Sequence, residues 1–212
     1  ELASLIHEIG PDVAVSFSSP EMARASYGLK VPHICINDSP HAEAVARLTV
    51  PLSELLLTPE VIPKKAWTGY GISPERIVQY NAIDPWIWLR DFEPDAGVLR
   101  ELGLDESEQI LTLRVEEAFA SYLLGRTARE TPIAHLIDGL LESRPGLQIV
   151  ALPRYEEQME MLRRAFGEKI TICGSVIDGP SLLHYTTVFV GAGGTMSAEA
   201  ALLGVPTFSC YP

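Results

Sequence analysis

The sequence predicts an α/β protein made of two Rossmann-like units, each with a parallel sheet. Three observations carry that expectation. Short apolar, strand-like runs alternate with amphipathic helical segments, and the same alternation resumes after a turn-rich stretch at residues 81–89. The chain is also long and apolar enough, at 212 residues and 47% apolar, to bury one or two cores.

The elements follow in order. Leu2, Leu5, Ile6 and Ile9 recur at helical spacing and are closed by Gly10-Pro11. Residues 13–17 read as a strand, and Ser19 with Pro20 opens a second helix that runs toward Gly28. Strands are expected at 31–36, 52–57 and 76–79. The stretch Asn81-Ala82-Ile83-Asp84-Pro85-Trp86-Ile87-Trp88-Leu89 then reads as a connection between domains, so the division falls at 1–84 and 85–212. Trp86 and Trp88 either pack against a domain or line a site. Glu93-Pro94 is expected to open a helix carrying Val98, Leu99 and Leu102, closed by Gly103. Strands at 110–113, 147–152, 169–173, 187–190 and 205–210 alternate with helices over 133–141, 155–166 and 197–203.

Charge narrows the partners. Sixteen basic against 28 acidic residues leave a net charge of −12, which argues against a surface that grips nucleic-acid backbones. Such a balance leaves room for a local phosphate pocket made of backbone N–H groups. No apolar run approaches the roughly 18–20 residues of a membrane helix, and the chain does not open on a signal peptide. Cys35, Cys173 and Cys210 lie in apolar stretches without metal-ligand spacing, and read as reduced, buried thiols of a cytoplasmic protein. No His, Cys or Asp cluster has the spacing of a tight metal site. Because the chain begins at Glu1 in helical pattern and stops at Pro212 just past a strand, it is expected to be a piece of a longer protein with both domains incomplete.

The sharpest chemical signal is Val188-Phe189-Val190-Gly191-Ala192-Gly193-Gly194-Thr195-Met196-Ser197-Ala198-Glu199, an apolar strand entering a glycine turn and then a helix. Glycines permit torsions and close approaches that other residues forbid, and the free N–H groups of the helix can receive an anion. Thr195 and Ser197 add hydroxyls, and Glu199 stands a little over one turn in, where a carboxylate can accept from a ribose diol. The plainer reading is a tight strand-to-helix turn. It is neither a dinucleotide fingerprint nor a Walker A loop. A second constellation, Asn37-Asp38-Ser39-Pro40-His41, also follows a strand. There Asp38 could orient His41 as a general base, or Asn37, Asp38 and Ser39 could cap a helix starting at Pro40. His7, His33, His135 and His184 lack such a neighbour and read as packing or surface residues.

Residues 191–206 with Ser209-Cys210-Tyr211-Pro212 resemble the closing motif of domain-of-unknown-function family 354 (DUF354). The segments 12–19 (DVAVSFSS), Asn37-Asp38-Ser39-Pro40-His41-Ala42, Arg47-Leu48-Thr49, Leu56-Leu57-Thr58-Pro59-Glu60, Tyr80-Asn81-Ala82-Ile83-Asp84, 117–122 and Leu152-Pro153-Arg154 resemble it in the same order. That family is related to UDP-N-acetylglucosamine 2-epimerases and GT-B glycosyltransferases. The resemblance implies a GT-B-like pair of Rossmann-like domains facing a cleft, acceptor-side first and nucleotide-sugar-binding second. It implies that Gly193, Gly194 and Thr195 receive a diphosphate, that Glu199 holds the ribose hydroxyls, and that Arg114 lies near the phosphates. Arg114 on its own could equally be a solvated strand-end charge, and Arg154 either holds an anion or pairs with Glu157. One departure stands out: the epimerases' His-Arg-x-Glu-Asn stretch is replaced by Thr112-Leu113-Arg114-Val115-Glu116-Glu117, without the His. Residues 42–49 keep Glu43 and Arg47 of a further epimerase pattern, but carry Ala44 and Ala46 in place of a Glu and an Asn.

The expected function is metal-independent, GT-B-like glycosyl transfer from a nucleotide-sugar, a UDP-sugar, in polysaccharide or glycolipid synthesis. Asp38 and His41 would be its catalytic pair, and the sugar donor and an acceptor its partners, with peripheral membrane contact left to parts outside this chain. No separate cofactor is expected. The alternatives are a UDP-N-acetylglucosamine 2-epimerase-like enzyme and a non-catalytic nucleotide-sugar-binding protein.

Overall fold

The computed structural model describes residues 1–115, 132–191 and 193–210. The chain divides into two compact units, Glu1–Asp84 and Pro85–Pro212. Each is built on a parallel sheet, so the expected α/β class is what is found.

In the first unit the helix Leu2–Ile9 ends at Gly10, whose left-handed φ of 59° lets its N–H close back on the Ile6 carbonyl. β1 (Ala14–Phe17), β2 (His33–Ile36), β3 (Leu55–Pro59) and β4 (Ile77–Tyr80) lie side by side in chain order. The helix Pro20–Leu29 starts where Ser19 accepts from the Met22 N–H at 3.2 Å, as the Ser-Pro pair predicts. β3 starts three residues later than the apolar run suggests, because Val50–Leu52 is taken up by a short 3-10 turn. Glu43–Thr49 is the helix after β2. Residues 40 and 41 form a turn instead, so the expected helix start at Pro40 is corrected to Glu43, with Ala42 as its cap. Asn37 accepts from the Ser39 N–H at 2.8 Å and so shapes that turn rather than a helix end.

One face of this sheet is well covered, with Cys35, Leu56 and Ile77 packed on Ala46, Val50, Trp67 and Ile72. Its other face is more open: Val15 is 52% and Phe17 56% exposed on β1, and Val78 is exposed on β4 at the opposite edge. In the second unit both faces of the sheet are covered.

The second sheet comprises β5 (Ile110–Arg114), β6 (Gln148–Leu152), β7 (Thr171–Ile172), β8 (Val188–Gly191) and β9 (Thr207–Ser209), in the order β7-β6-β5-β8-β9. Leu111 and Leu113 with Ile149 and Ala151 face the helices Pro132–Ser143 and Glu156–Phe166 through Ile137, Leu162 and Phe166. Ile110 with Val150 and Leu152 faces Val98, Leu99 and Leu182. Residues on alternate sides of each strand thus go to two cores, as the consecutive apolar runs require. Glu93-Pro94 does not open the next helix, which is Gly97–Leu102. It begins where Asp95 accepts from the Gly97 N–H at 2.7 Å, and it ends at Gly103 (φ 67°) as expected. The sequence reading also passed over Gly179–Tyr185, capped by Asp178. Cys35 and Cys173 are buried, whereas Cys210 is exposed, because it lies just past β9 at the sheet's edge. No described helix is long and apolar enough to cross a membrane.

His33 has partners that the sequence did not reveal. It is fully buried, with Nε2 2.8 Å from the Ser16 hydroxyl and Nδ1 2.8 Å from the Ser53 hydroxyl, and burial lowers its pKa from 6.5. A folded value below the unfolded one means that the unfolded chain takes the proton first as pH falls. The stabilisation is complete above about pH 6.5 and drains away as pH drops below it. Urea unfolding of the protein is expected to show a midpoint that falls between pH 7.5 and 5.5, with much of that slope removed by His33→Gln. An identical slope in the variant would show that another group is responsible.

Candidate functional site

The site begins with strand order. β5, β6 and β7 progress to one side, and the chain then returns to place β8 on the other side of β5. The crevice between the carboxyl ends of β5 and β8 is therefore the switch point of the second sheet, where open α/β sheets take ligands. Leu113 pairs with Val190, so the next residues, Arg114 and Gly191, end neighbouring strands there.

Gly191 is required by space. A Cβ on it would stand 2.7 Å from the fully buried Phe189 ring and 3.3 Å from the Ser197 hydroxyl. Gly193 and Gly194 are required by torsion. Their φ values are 83° and 80°, and Gly194, at ψ −173°, lies in a region that only glycine occupies without strain. Ala192 lies outside the described residues, as do 116–131 with the expected family segment 117–122, and Tyr211 and Pro212 of the closing motif.

Gly194 caps the helix Thr195–Leu202, and its carbonyl accepts from the Ser197 and Ala198 amides at 3.2 and 3.3 Å. The Thr195 and Met196 amides precede those and have no acceptor within the helix. Gly194 and Thr195 are exposed and Gly193 half-buried, so the turn is open to solvent. Ser197 differs from expectation: its hydroxyl is buried beside Gly191 without a hydrogen-bond partner among the described residues, so it does not extend the row of open donors. Glu199 is partly buried, and its Oε1 accepts from the Trp88 indole N–H at 2.9 Å. That partner is 111 residues away, and nothing local in the sequence announces it.

Arg114 is partly buried and donates to the carbonyls of Leu152 at 3.1 Å and Pro153 at 3.4 Å. Burial pulls its pKa below the ordinary guanidinium value, and the neighbouring Arg154 guanidinium adds to the fall. The two arginines share a cavity of about 390 Å³ with Cys173, Val176, Ile177 and Met196. Among the described residues neither is in an ion pair, so the Arg154–Glu157 alternative is not what the structure adopts. Two adjacent cations with no ion-pair partner among the described residues, one of them partly desolvated, favour an anionic guest.

In the first unit, Asp38 and His41 are not joined as expected. Asp38 accepts from the Ser39 hydroxyl at 2.8 Å, while His41 is exposed because the turn carries it outward. The neighbours of Asp38 are Tyr80 and Asp84 instead. The Tyr80 hydroxyl donates to Asp84 at 2.5 Å, and burial pushes both groups above their ordinary pKa values. For Asp84 the bond from Tyr80 opposes that rise and the Asp38 charge reinforces it. Extending the register explains the grouping: Pro59 pairs with Tyr80 and Ile36 with Leu57, which puts residue 38 in the same row.

A family model described as "Protein of unknown function (DUF354)" matches residues 1–212. "Uncharacterized protein MJ0665" of Methanocaldococcus jannaschii is 32% identical over 216 residues, covering 100% of this chain and 60% of that protein. Among solved structures, the S. aureus MnaA–UDP co-structure aligns at TM-score 0.76 with 14% identity, over 97% of this chain and 58% of the other. The M. jannaschii UDP-GlcNAc 2-epimerase in complex with UDP-GlcNAc and UDP aligns at 0.72 with 18% identity, over 97% and 62%. Anabaena Alr3699/HepE in complex with UDP aligns at 0.58 with 18% identity, over 97% and 61%. The chain thus spans about three fifths of the length of the relatives it matches.

Gly194→Ala is expected to cost about 1–3 kcal/mol in urea unfolding, because alanine cannot hold the torsions of that residue without strain. Gly28→Ala, in a helix where the added methyl meets nothing, should leave stability unchanged or raise it. Equal effects at the two positions would remove the torsional argument.

Proposed function

The chain belongs to the DUF354 family, and from that premise we propose that it binds a nucleotide-sugar, a UDP-sugar, through the second unit and serves glycosyl transfer. What supports this reading is a glycine turn and a helix start with free amides at the switch point, a carboxylate one turn in, and Arg114 at the neighbouring strand end, in a cavity with Arg154 that the same helix reaches through Met196. The Gly193, Gly194 and Thr195 backbone takes the diphosphate, Arg114 neutralises it, and Glu199 accepts from the ribose hydroxyls. The apolar lip formed by Val176, Ile177 and Met196, next to the arginines, has the character of a base-binding surface. Solved structures of the same fold that hold UDP, UDP-GlcNAc or UDP-glucose support the ligand class.

Transfer of a sugar needs charge stabilisation on the departing diphosphate and a base for the acceptor hydroxyl. Amides fixed at a helix start, with Arg114, supply the first without a metal ion, since they are already oriented when the charge develops. For the second, we keep Asp38 of the first unit, which lies beside the hydrogen-bonded pair Tyr80 and Asp84, ahead of the exposed His41.

A second reading, 2-epimerisation, has the fold likeness to UDP-GlcNAc 2-epimerases in its favour. Against it, the position that matches the His of the epimerase stretch is Leu113, which is 1% exposed and part of the core. A third, non-catalytic binding, needs only the nucleotide site.

Calorimetric titration with UDP is expected to show binding that Glu199→Ala weakens by about tenfold or more, as removal of a charged hydrogen-bond acceptor does. Arg114→Met should weaken UDP more than uridine. Unaltered UDP affinity in both variants would discard the site. With a UDP-sugar, release of UDP only when an acceptor is added supports transfer; inversion at C2 without acceptor supports the epimerase.

A further inference from the structure

We propose that Trp88 is a positioning residue for the nucleotide site, holding the Glu199 carboxylate in the orientation that receives the ribose hydroxyls; this rests on the reading of Glu199 given above. The indole Nε1 lies 2.9 Å from Glu199 Oε1, and both residues belong to the second unit. Indole N–H is a donor only and carries no titratable proton at ordinary pH, so it does one thing here: it fixes an ionised carboxylate by a charge-assisted bond.

The geometry leaves the carboxylate usable. An ionised carboxyl group accepts at about four lone-pair positions, of which the indole takes one. Glu199 Oε2 has no partner among the described residues, which leaves it, with the second position on Oε1, for a pair of adjacent hydroxyls. Glutamate otherwise turns about three side-chain bonds, and each ordered rotor has to be stilled when a ligand binds. A donor that stills them beforehand moves that entropic cost from the binding step to folding.

Trp88 is itself held. It lies in the single turn Trp86–Leu89, closed by the Leu89 amide on the Pro85 carbonyl and the Arg90 amide on that of Trp86, and anchored by the buried Pro85. The Arg90 guanidinium stacks over the Trp86 ring, 5.7 Å from its centre, on the same turn. Trp88 is nonetheless 47% exposed, more than a ring kept only for packing would be. Its polar edge, rather than its buried area, gives the position its meaning.

The test compares UDP with 2′-deoxy-UDP in the intact protein by calorimetry. In the wild type UDP is expected to bind about tenfold tighter than the deoxy analogue, and Glu199→Ala to collapse that preference toward one. Should Glu199→Ala leave the preference intact, the ribose reading itself is wrong. Trp88→Phe keeps an aromatic ring and removes the donor. It is expected to lower the preference about threefold or more, weakening 2′-deoxy-UDP, which keeps only the 3′-hydroxyl, less than UDP. Equal weakening of both ligands would make Trp88 a packing residue only, and tighter UDP binding would make it a competitor; either result, or an unchanged preference, overturns the proposal. If Trp88→Phe fails to fold, replacing the indole at position 88 by its sulfur isostere, which has the same shape without the N–H, delivers the same readout.

Discussion

The torsions of Gly194, at φ 80° and ψ −173°, are the constraint on which the carboxyl edge of the second sheet depends. With them, the chain leaves β8 and enters the helix Thr195–Leu202 over three residues, so that the first amides of the helix are presented beside the strand end. Gly191 sets the spacing, since the Phe189 ring and the Ser197 hydroxyl fill the space that a side chain would need. The same short turn brings Glu199 around to the side on which Trp88 stands, and puts Met196 into the wall of the cavity shared by Arg114 and Arg154.

The two units use parallel sheets differently. In the second, alternate residues of β5 and β6 serve separate cores on either face, so the central strands are sealed and their ends are held in register. In the first, one face is packed around Trp67 and the other leaves Val15, Phe17 and Val78 in contact with solvent. The polar groups of that first unit are arranged on the same plan. His33 sits on the packed side, bonded to two serines, and Asp38 and Tyr80 share a row at the strand ends, with Asp84 bonded to Tyr80. Fold likeness at 14–18% identity speaks to architecture, so the chemistry has to be argued from these residues and not from the neighbours.

Much of this was readable in the residue order because it depends on local rules. Short apolar runs alternating with amphipathic helices marked the strands, and Ser19-Pro20 and Gly103 marked a helix start and a helix end that the structure shows. The glycine turn was readable too, since the torsions it needs are forbidden to other residues. Local rules failed where a competing contact won. Asn37 spends its side chain on the Ser39 amide, so the helix waits until Glu43, and Asp38 is left to the Ser39 hydroxyl instead of to His41.

What the chain determined by itself, then, is the α/β class, the alternation of elements and the backbone cradle, because periodicity, capping and glycine torsions act over a few residues. Tertiary structure alone decided that Trp88 bonds to Glu199, that Asp84 and Tyr80 stand beside Asp38, and that Arg114 and Arg154 line one cavity. Those are meetings between residues 4 to 111 positions apart, set by strand order and register, and pairwise encounters of that kind leave no periodic trace in a single sequence.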